Sequence, residues 1–328
     1  MRGRSGKRLG LILYIILCTV LAYGQVRQAD VDDFARNYAF QERIPLAEVE
    51  EILSKAEFQN SIIEKMERPA EKTLTWERYR SIFLTEDRIN AGVKFWNENL
   101  IELENISNNS GIPEEIILGI IGVETFFGTR KGTYRVLDAL YTLGFGYPPR
   151  SSYFKAELAK FLELCKNEGL DPLTIKGSYA GAMGYCQFMP TSYLAYAKSY
   201  DGMGGIDLIN NVDDAMASVA NYLKVHRWDP SGRITTKAMV AADAQTLSKQ
   251  STRPRHSTSH YGALGYAPED GSTIDETVTL IEFENEAENE YWFCMNNFYV
   301  ITRYNHSPLY ALAVYQLGAA IKERKFPK

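Results

Sequence analysis

Glu124 stands near the end of the run Ile112-Pro113-Glu114-Glu115-Ile116-Ile117-Leu118-Gly119-Ile120-Ile121-Gly122-Val123-Glu124-Thr125-Phe126-Phe127-Gly128. The middle of that run is apolar on every helical face, the pattern of a buried helix. A carboxyl group flanked by Val123, Phe126 and Phe127 loses solvent, which favours the protonated acid and raises its pKa. Such an acid can protonate a leaving oxygen. It can equally be a structural Glu paired with an Arg or with backbone amides, and spacing alone leaves both readings open. A second run, 176–190, places Gly177, Gly181 and Gly184 among Ser178, Tyr179, Tyr185 and Gln187. Glycine permits close backbone approach, and Ser178 and Gln187 can hydrogen-bond the hydroxyl or acetamido groups of a sugar while tyrosines offer flat faces with polar tips. A tight glycine loop packed on helices explains the same run. A third, Arg303-Tyr304-Asn305-His306-Ser307, lies between elements, where binding residues often collect.

Other chemistries are disfavoured. The histidines 226, 256, 260 and 306 are scattered, and no CxxC, HExxH, Gly-x-Ser-x-Gly elbow or Walker glycine loop occurs; this weighs against zinc, serine-hydrolase and NTPase sites. With 36 Lys+Arg against 41 Asp+Glu, spread without basic runs, the net charge of −5 argues against nucleic acid as a partner. Arg2, Arg4, Lys7 and Arg8, the apolar stretch 9–20 and Ala22-Tyr23-Gly24 read as a secretory leader, residues 1–24. Its removal takes away four basic groups and makes the mature charge about −9. Cys18 offers a rival lipid-anchor reading, but Leu17 precedes it where a small residue is expected. Cys165, Cys186 and Cys294 then remain, enough for at most one internal disulfide.

The elements that must position these groups are mostly helical. Over 30–228 apolar residues return every three or four positions. Pro45 and Pro113, each followed by acidic residues, mark first turns. A helix from near Asp87 is expected to carry Ile89, Val93, Trp96, Leu100 and Leu103 on one buried stripe. Beyond Trp228 the texture changes: 248–260 reads as a surface loop, while 277–283, 291–293 and 298–302 have the aromatic and β-branched character of short strands. Ser307-Pro308 caps a final helix through Tyr315, Leu317 and Ile321. The expected organisation is a helical body, 25–228, a loop-rich insertion with a small β element, 229–305, and a C-terminal helix returning to the body, 306–328.

Taken in order, Gly119-Ile120-Ile121-Gly122-Val123-Glu124-Thr125, Leu137-Asp138-Ala139-Leu140, the 177–190 run, Ser218-Val219-Ala220-Asn221-Tyr222 and Ile301-Thr302-Arg303-Tyr304-Asn305-His306-Ser307 resemble the lytic murein transglycosylase B family. The similarity extends from about residue 79 to 318. The resemblance implies a mainly α (α+β) fold: a lysozyme-like helical catalytic domain with a small β-containing subdomain flanking a groove. It implies cleavage of the β-1,4 bond between N-acetylmuramic acid and N-acetylglucosamine, with Glu124 as the single acid/base and closure of a 1,6-anhydro ring. Ser178 would orient the substrate acetamido group. Gln187, Tyr222, Tyr304, Asn305, Tyr310, Tyr79, Arg150 and Tyr153 match groove positions, with Arg150 suited to a carboxylate. Asp138 reads as structural. A hydrolytic muramidase and a non-catalytic peptidoglycan-binding protein are the alternatives.

The resemblance further implies peptidoglycan strands as the partner, a periplasmic monomer and no cofactor, with association with wall-synthesis machinery left open. Three departures stand out. The calcium-type loop of many relatives reads Ser199-Tyr200-Asp201-Gly202-Met203-Gly204-Gly205-Ile206-Asp207-Leu208-Ile209-Asn210 here, with only Asp201 and Asp207 as carboxylates. A hard cation wants about six to eight oxygens, so weak or absent metal binding is expected and no residue is assigned as a metal ligand. Arg150 lacks a second Arg beside it, and Cys186 replaces a glycine.

Overall fold

The computed structural model describes residues 26–67, 74–248 and 251–327, so the expected leader, residues 1–24, lies outside the described residues. The chain begins with α1 (Gln28–Glu42), α2 (Leu46–Ser54), α3 (Asn60–Met66), α4 (Trp76–Phe83), α5 (Glu86–Glu98), α6 (Leu100–Ser110) and α7 (Glu114–Thr125). It continues through β1 (Tyr134–Arg135), α8 (Val136–Gly146), a 3-10 turn (Pro148–Arg150), α9 (Ser151–Glu168), β2 (Lys176–Gly177), α10 (Pro190–Tyr196) and α11 (Val212–Val225). Then follow β3 (Thr235–Val240), α12 (Thr258–Gly262), β4 (Tyr266–Pro268), β5 (Thr279–Phe283), β6 (Glu290–Cys294), α13 (Asn296–Tyr304) and α14 (Pro308–Lys325). The expected class, mainly helical with small antiparallel sheets, is what the chain adopts.

These elements group into two compact units. The first takes the described parts of 1–68 together with 132–183 and 188–194; the second takes those of 69–131 and 195–328 together with 184–187. In the first unit α8 packs on α9, and α9 buries Phe154, Leu158, Phe161, Leu162 and Cys165. Asp138 on α8 is its polar hub. Its two oxygens accept from Arg135 Nε and Nη2 at 2.9 and 2.6 Å, from the Glu57 amide at 2.9 Å and from Gln59 Nε2 at 3.2 Å. The structural reading of Asp138 is therefore met. Glu157, 2% exposed, accepts from the Thr191 amide and hydroxyl at 3.0 and 2.6 Å.

In the second unit α7 is the buried helix that its sequence requires. Ile116, Ile117, Leu118, Ile120 and Ile121 are at most 1% exposed, each contributing about 1.5–3 kcal/mol by leaving water. Its main neighbour is α14. Contact is backbone-close because Gly119 meets Val314 and Gly318 meets Glu115: a methyl at Gly119 would lie 2.4 Å from the Val314 carbonyl oxygen. The larger sheet belongs to this unit and runs β4-β3-β6-β5, antiparallel throughout. Thr235 and Thr279 flank Cys294 from the two sides, and Leu280 faces Phe293. Val278, Leu280, Phe293, Met295, Tyr261 and Tyr266 form the sheet's own small core.

Three expectations need correction. Residues 298–302 are not a strand; they lie in α13. Asn297 at its start accepts from the Asp229 amide at 2.9 Å and donates to the carbonyls of Asp229 and Gly232 at 2.8 and 2.9 Å, so long-range bonds turn the chain from β6 into a helix. The stripe from Ile89 to Leu103 spans two helices, not one. Asn99 ends α5 with its amide group on the Phe95 carbonyl at 2.7 Å, and Leu100 is 44% exposed. The 248–260 stretch is not all loop, since α12 begins at Thr258, capped by Ser257, and anchors buried Tyr261. The strands at 279–283 and 290–294, and the Ser307-capped final helix, match expectation.

Candidate active site

Glu124 occupies the last turn of α7, and the backbone after it is unusual. Phe126, Phe127 and Gly128 have φ of 50°, 55° and 84°, so two non-glycine residues in succession sit in the left-handed region. Each costs roughly 1–3 kcal/mol and persists only where surroundings impose it. Fully buried Thr125 is the main restraint. Its Oγ1 accepts from the Gly128 amide at 2.9 Å and stands 3.1 and 3.2 Å from the carbonyls of Ile121 and Tyr185. Gly128 is obligatory here, because a methyl on it would fall 2.0 Å from the Tyr185 ring.

The start of α14 brings a tyrosine to this carboxyl group. Ser307 caps the helix by accepting from the Tyr310 amide at 3.4 Å, and Pro308 sets the first turn. The Tyr310 hydroxyl donates to Glu124 Oε1 at 2.6 Å. Its ring runs nearly parallel to that of Tyr304, 6.4 Å away at 12°. The Tyr304 hydroxyl donates to the Cys186 carbonyl at 2.7 Å. Tyr222 on α11 meets Tyr304 at 4.8 Å and donates to the Arg303 carbonyl at 2.5 Å. These bonds keep the aromatic wall in one arrangement.

The electrostatics follow from burial. Tyr310 and Tyr304 are pushed well above the ordinary phenol range, first by burial and then by negative charges nearby, Glu124 among them. Burial also raises the Cys186 thiol, with Glu124 adding to it. Tyr222 is pushed up to about 12, mainly by burial. The phenols around Glu124 are neutral donors over the whole working pH range.

Of the other expected site residues, Tyr79 is buried in α4 and adds to the repression of Tyr310 ionisation. Asn305 follows α13 at the junction with α14. Gln187 holds φ at 48° and donates through Nε2 to the carbonyls of Lys131 and Gly184 at 3.2 and 2.9 Å. Ser178, Arg150 and Tyr153 belong to the first unit. There Ser178 Oγ accepts from the amides of Ala180 and Ala182 at 3.2 and 3.0 Å, and the exposed Arg150 guanidinium lies 4.4 Å from the Tyr153 ring centroid. Sequence reading missed Thr125 and Lys131. A hydroxyl just after Glu124 and before Phe126-Phe127-Gly128 was the available signal for Thr125; nothing local marked Lys131.

Among the described residues no disulfide forms: Cys165, Cys186 and Cys294 are free and buried. Cys186 packs inward, with Sγ 3.2 Å from the Ala215 carbonyl. Among the described residues no group of three or more His, Cys, Asp or Glu could hold a metal ion. In the 199–210 loop the carboxylates are taken up locally. Asp201 Oδ1 accepts from Ser199 Oγ and the Met203 amide at 2.9 and 2.8 Å, and Asp207 Oδ1 accepts from the amides of Ile209 and Asn210 at 2.8 and 2.9 Å.

Known proteins resemble this chain in sequence and in fold. The membrane-bound lytic murein transglycosylase B of Escherichia coli K12 is 40% identical over 303 residues, covering 90% of this chain and 82% of that protein. The structure of catenated lytic transglycosylase SltB1 from Pseudomonas aeruginosa superposes with a TM-score of 0.84 at 40% identity, covering 90% of this chain and 98% of that one. Escherichia coli Slt35, solved in complex with calcium, gives 0.83 at 39% identity, covering 90% and 93%. The Transglycosylase SLT domain model matches residues 27–319. With that match spanning nearly the whole chain and the Glu124–Tyr310 pair inside it, the chain belongs to the SLT_2 family of transglycosylase SLT domains.

Proposed function

We propose that this chain is a peptidoglycan lytic transglycosylase in which Glu124 alone supplies acid and base. The hydrogen bond from Tyr310 to Glu124 Oε1, in a wall of buried neutral phenols, carries the reading. Protonated Glu124 gives its proton to the oxygen of the β-1,4 bond between N-acetylmuramic acid and N-acetylglucosamine. The carboxylate then takes the proton of the muramoyl C6 hydroxyl as that oxygen attacks C1, closing a 1,6-anhydro ring without consuming water. A neutral phenol donor suits both stages, because it can hold the carboxyl in place and stabilise the carboxylate formed between them. The substrate acetamido group takes the part of a second carboxylate, oriented by Ser178. Gln187, Tyr222, Tyr304, Asn305, Tyr79, Arg150 and Tyr153 line the path of the glycan, and Arg150 meets lactyl or peptide carboxylates.

The enzyme works in the periplasm as a monomer after loss of residues 1–24, with a body of 25–228, an insertion of 229–305 and the returning segment 306–328. Among the described residues no helix is long and apolar enough to cross a membrane. Mass spectrometry of purified sacculi digested by the mature protein, beside the Glu124→Gln variant, tests the reading. The expected muropeptides are one water lighter than those of a lysozyme and are absent with the variant. Reducing ends would make the enzyme a hydrolase; glycan binding without any product would make it a binding protein.

A further inference from the structure

Slt35 is solved with calcium, and the 199–210 stretch is the one that the family resemblance sets beside a calcium-type loop; in this chain it does not fit a divalent ion. Met203 brings no side-chain oxygen and is 74% exposed. Amide donors point at the carboxylates of Asp201 and Asp207, and Asn210 Nδ2 covers Asp207 Oδ2 at 3.0 Å. Asp214 is spent as well: Oδ1 accepts from the Tyr200 amide at 2.8 Å and Oδ2 from the Asp207 amide at 3.0 Å. Calcium would need about six to eight oxygens turned towards one point.

A positive charge reaches the loop nonetheless, on a side chain. Lys131 Nζ donates to the Ile209 carbonyl at 2.6 Å and lies 4.4 Å from the centroid of the Tyr185 ring. The Tyr185 amide donates to the neighbouring Leu208 carbonyl at 2.9 Å. Gly184, at φ 69°, lets backbone meet backbone there, since a methyl on it would fall 2.1 Å from the Leu208 oxygen. Lys131 also grips the other side of the same segment, as its own carbonyl accepts from Gln187 Nε2 at 3.2 Å. One residue thus bonds the loop with its ammonium and the expected glycan ligand with its backbone.

We propose that Lys131 is the resident cation of the 199–210 loop and a positioning residue for Gln187, replacing a bound divalent ion with a tethered ammonium. The role assigned to Gln187 rests on the transglycosylase reading; the role of Lys131 in ordering the loop does not. A charge-assisted hydrogen bond to a carbonyl, with an aromatic face against the same ammonium, is strong enough to hold two backbone segments together. Being covalent, this cation is never lost to chelation or dilution.

The test compares wild type, Lys131→Met and Lys131→Arg on purified glycan strands, each with chelator or with millimolar calcium. Wild type is expected to show the same turnover, half-saturation and melting temperature in both media. Lys131→Met, which keeps an unbranched side chain and removes the charge, should raise the half-saturating glycan concentration about tenfold with a much smaller change in kcat, the size of one charge-assisted bond. Lys131→Arg should recover most of that loss. In a further variant, Lys131→Met with Ser199→Asp, Met203→Asp and Asn210→Asp rebuilds the oxygen donors, and calcium should restore its half-saturation and melting temperature. Calcium dependence of the wild type would overturn the proposal, as would wild-type half-saturation in Lys131→Met, or a loss confined to kcat that follows the folded fraction. Reducing-end products from the wild type would instead overturn the transglycosylase reading, leaving the Lys131 and calcium comparisons intact.

Discussion

Asp138 and Glu124 are both carboxylates on helices packed into apolar surroundings, and the protein treats them in opposite ways. Asp138, 3% exposed, collects four donors on two oxygens, two of them from the Arg135 guanidinium. That pairing holds the guanidinium above its ordinary pKa. A proton arriving on Asp138 would cost the ion pair, so the group is suited to holding α8 to the chain around Glu57 and Gln59 and poorly suited to carrying protons. Glu124 instead meets the hydroxyl of Tyr310, whose ionisation burial suppresses. A phenol bonds a carboxyl group in either protonation state, which leaves the proton free to move. On the proposed reading, a neutral phenol donor at Glu124, in place of the guanidinium at Asp138, is what suits Glu124 to carry a proton.

That contrast can be broken most directly at Glu124. Glu124→Gln keeps shape and hydrogen bonding but removes proton transfer, and turnover of glycan strands should fall by about 10⁴-fold with the melting temperature unchanged. Asp138→Ala should do the reverse. Taking the buried carboxylate away from Arg135, the Glu57 amide and Gln59, it is expected to cost about 3 kcal/mol in urea unfolding while activity per folded molecule stays at the wild-type level. If Asp138→Ala folded normally but lost turnover, Asp138 would be a second catalytic carboxylate and the one-acid reading would fail.

Tyr310→Phe sharpens the comparison, because it removes one hydroxyl and little else. A decrease in kcat of about tenfold is expected, with half-saturation nearly unchanged, since the lost bond holds the acid rather than the sugar. The smallest effect is spectroscopic. Tyr222 ionises at about 12 in the folded protein, above the ordinary phenol value near 10. A raised acid pKa means that its contribution to stability is complete below about pH 10 and is lost as pH rises towards 12. Phenolate absorbance should therefore lag behind that of the denatured chain above pH 10, with Tyr304 and Tyr310 titrating only on unfolding. Ordinary titration of all three in the native state would remove the neutral-phenol wall from the argument.

Much of this arrangement was legible locally. The all-round apolar run to Glu124, the Ser307-Pro308 start of α14 and the strands around Leu280 and Phe293 depend on neighbours within a turn or a pleat, and periodicity reports such neighbours well. Residues 298–302 were misread because their β-branched and aromatic side chains suit a strand as well as the buried side of a helix. Asn297 decided between them through bonds to Asp229 and Gly232, 68 and 65 residues away. The stripe through Leu100 failed for a related reason, since one side-chain amide on the Phe95 carbonyl ended the helix early.

The amino-acid sequence by itself determined the buried helix that ends at Glu124, the Ser307-Pro308 start of the last helix, and that the 199–210 loop carries only two carboxylates. The tertiary structure alone decided which donor meets which carboxylate: Tyr310 is brought to Glu124 across 186 residues, and Lys131 to Ile209 across 78. Helical and strand periods say which face a side chain takes, whereas the partner on that face is chosen by packing, through close approaches such as that of α14 to Gly119.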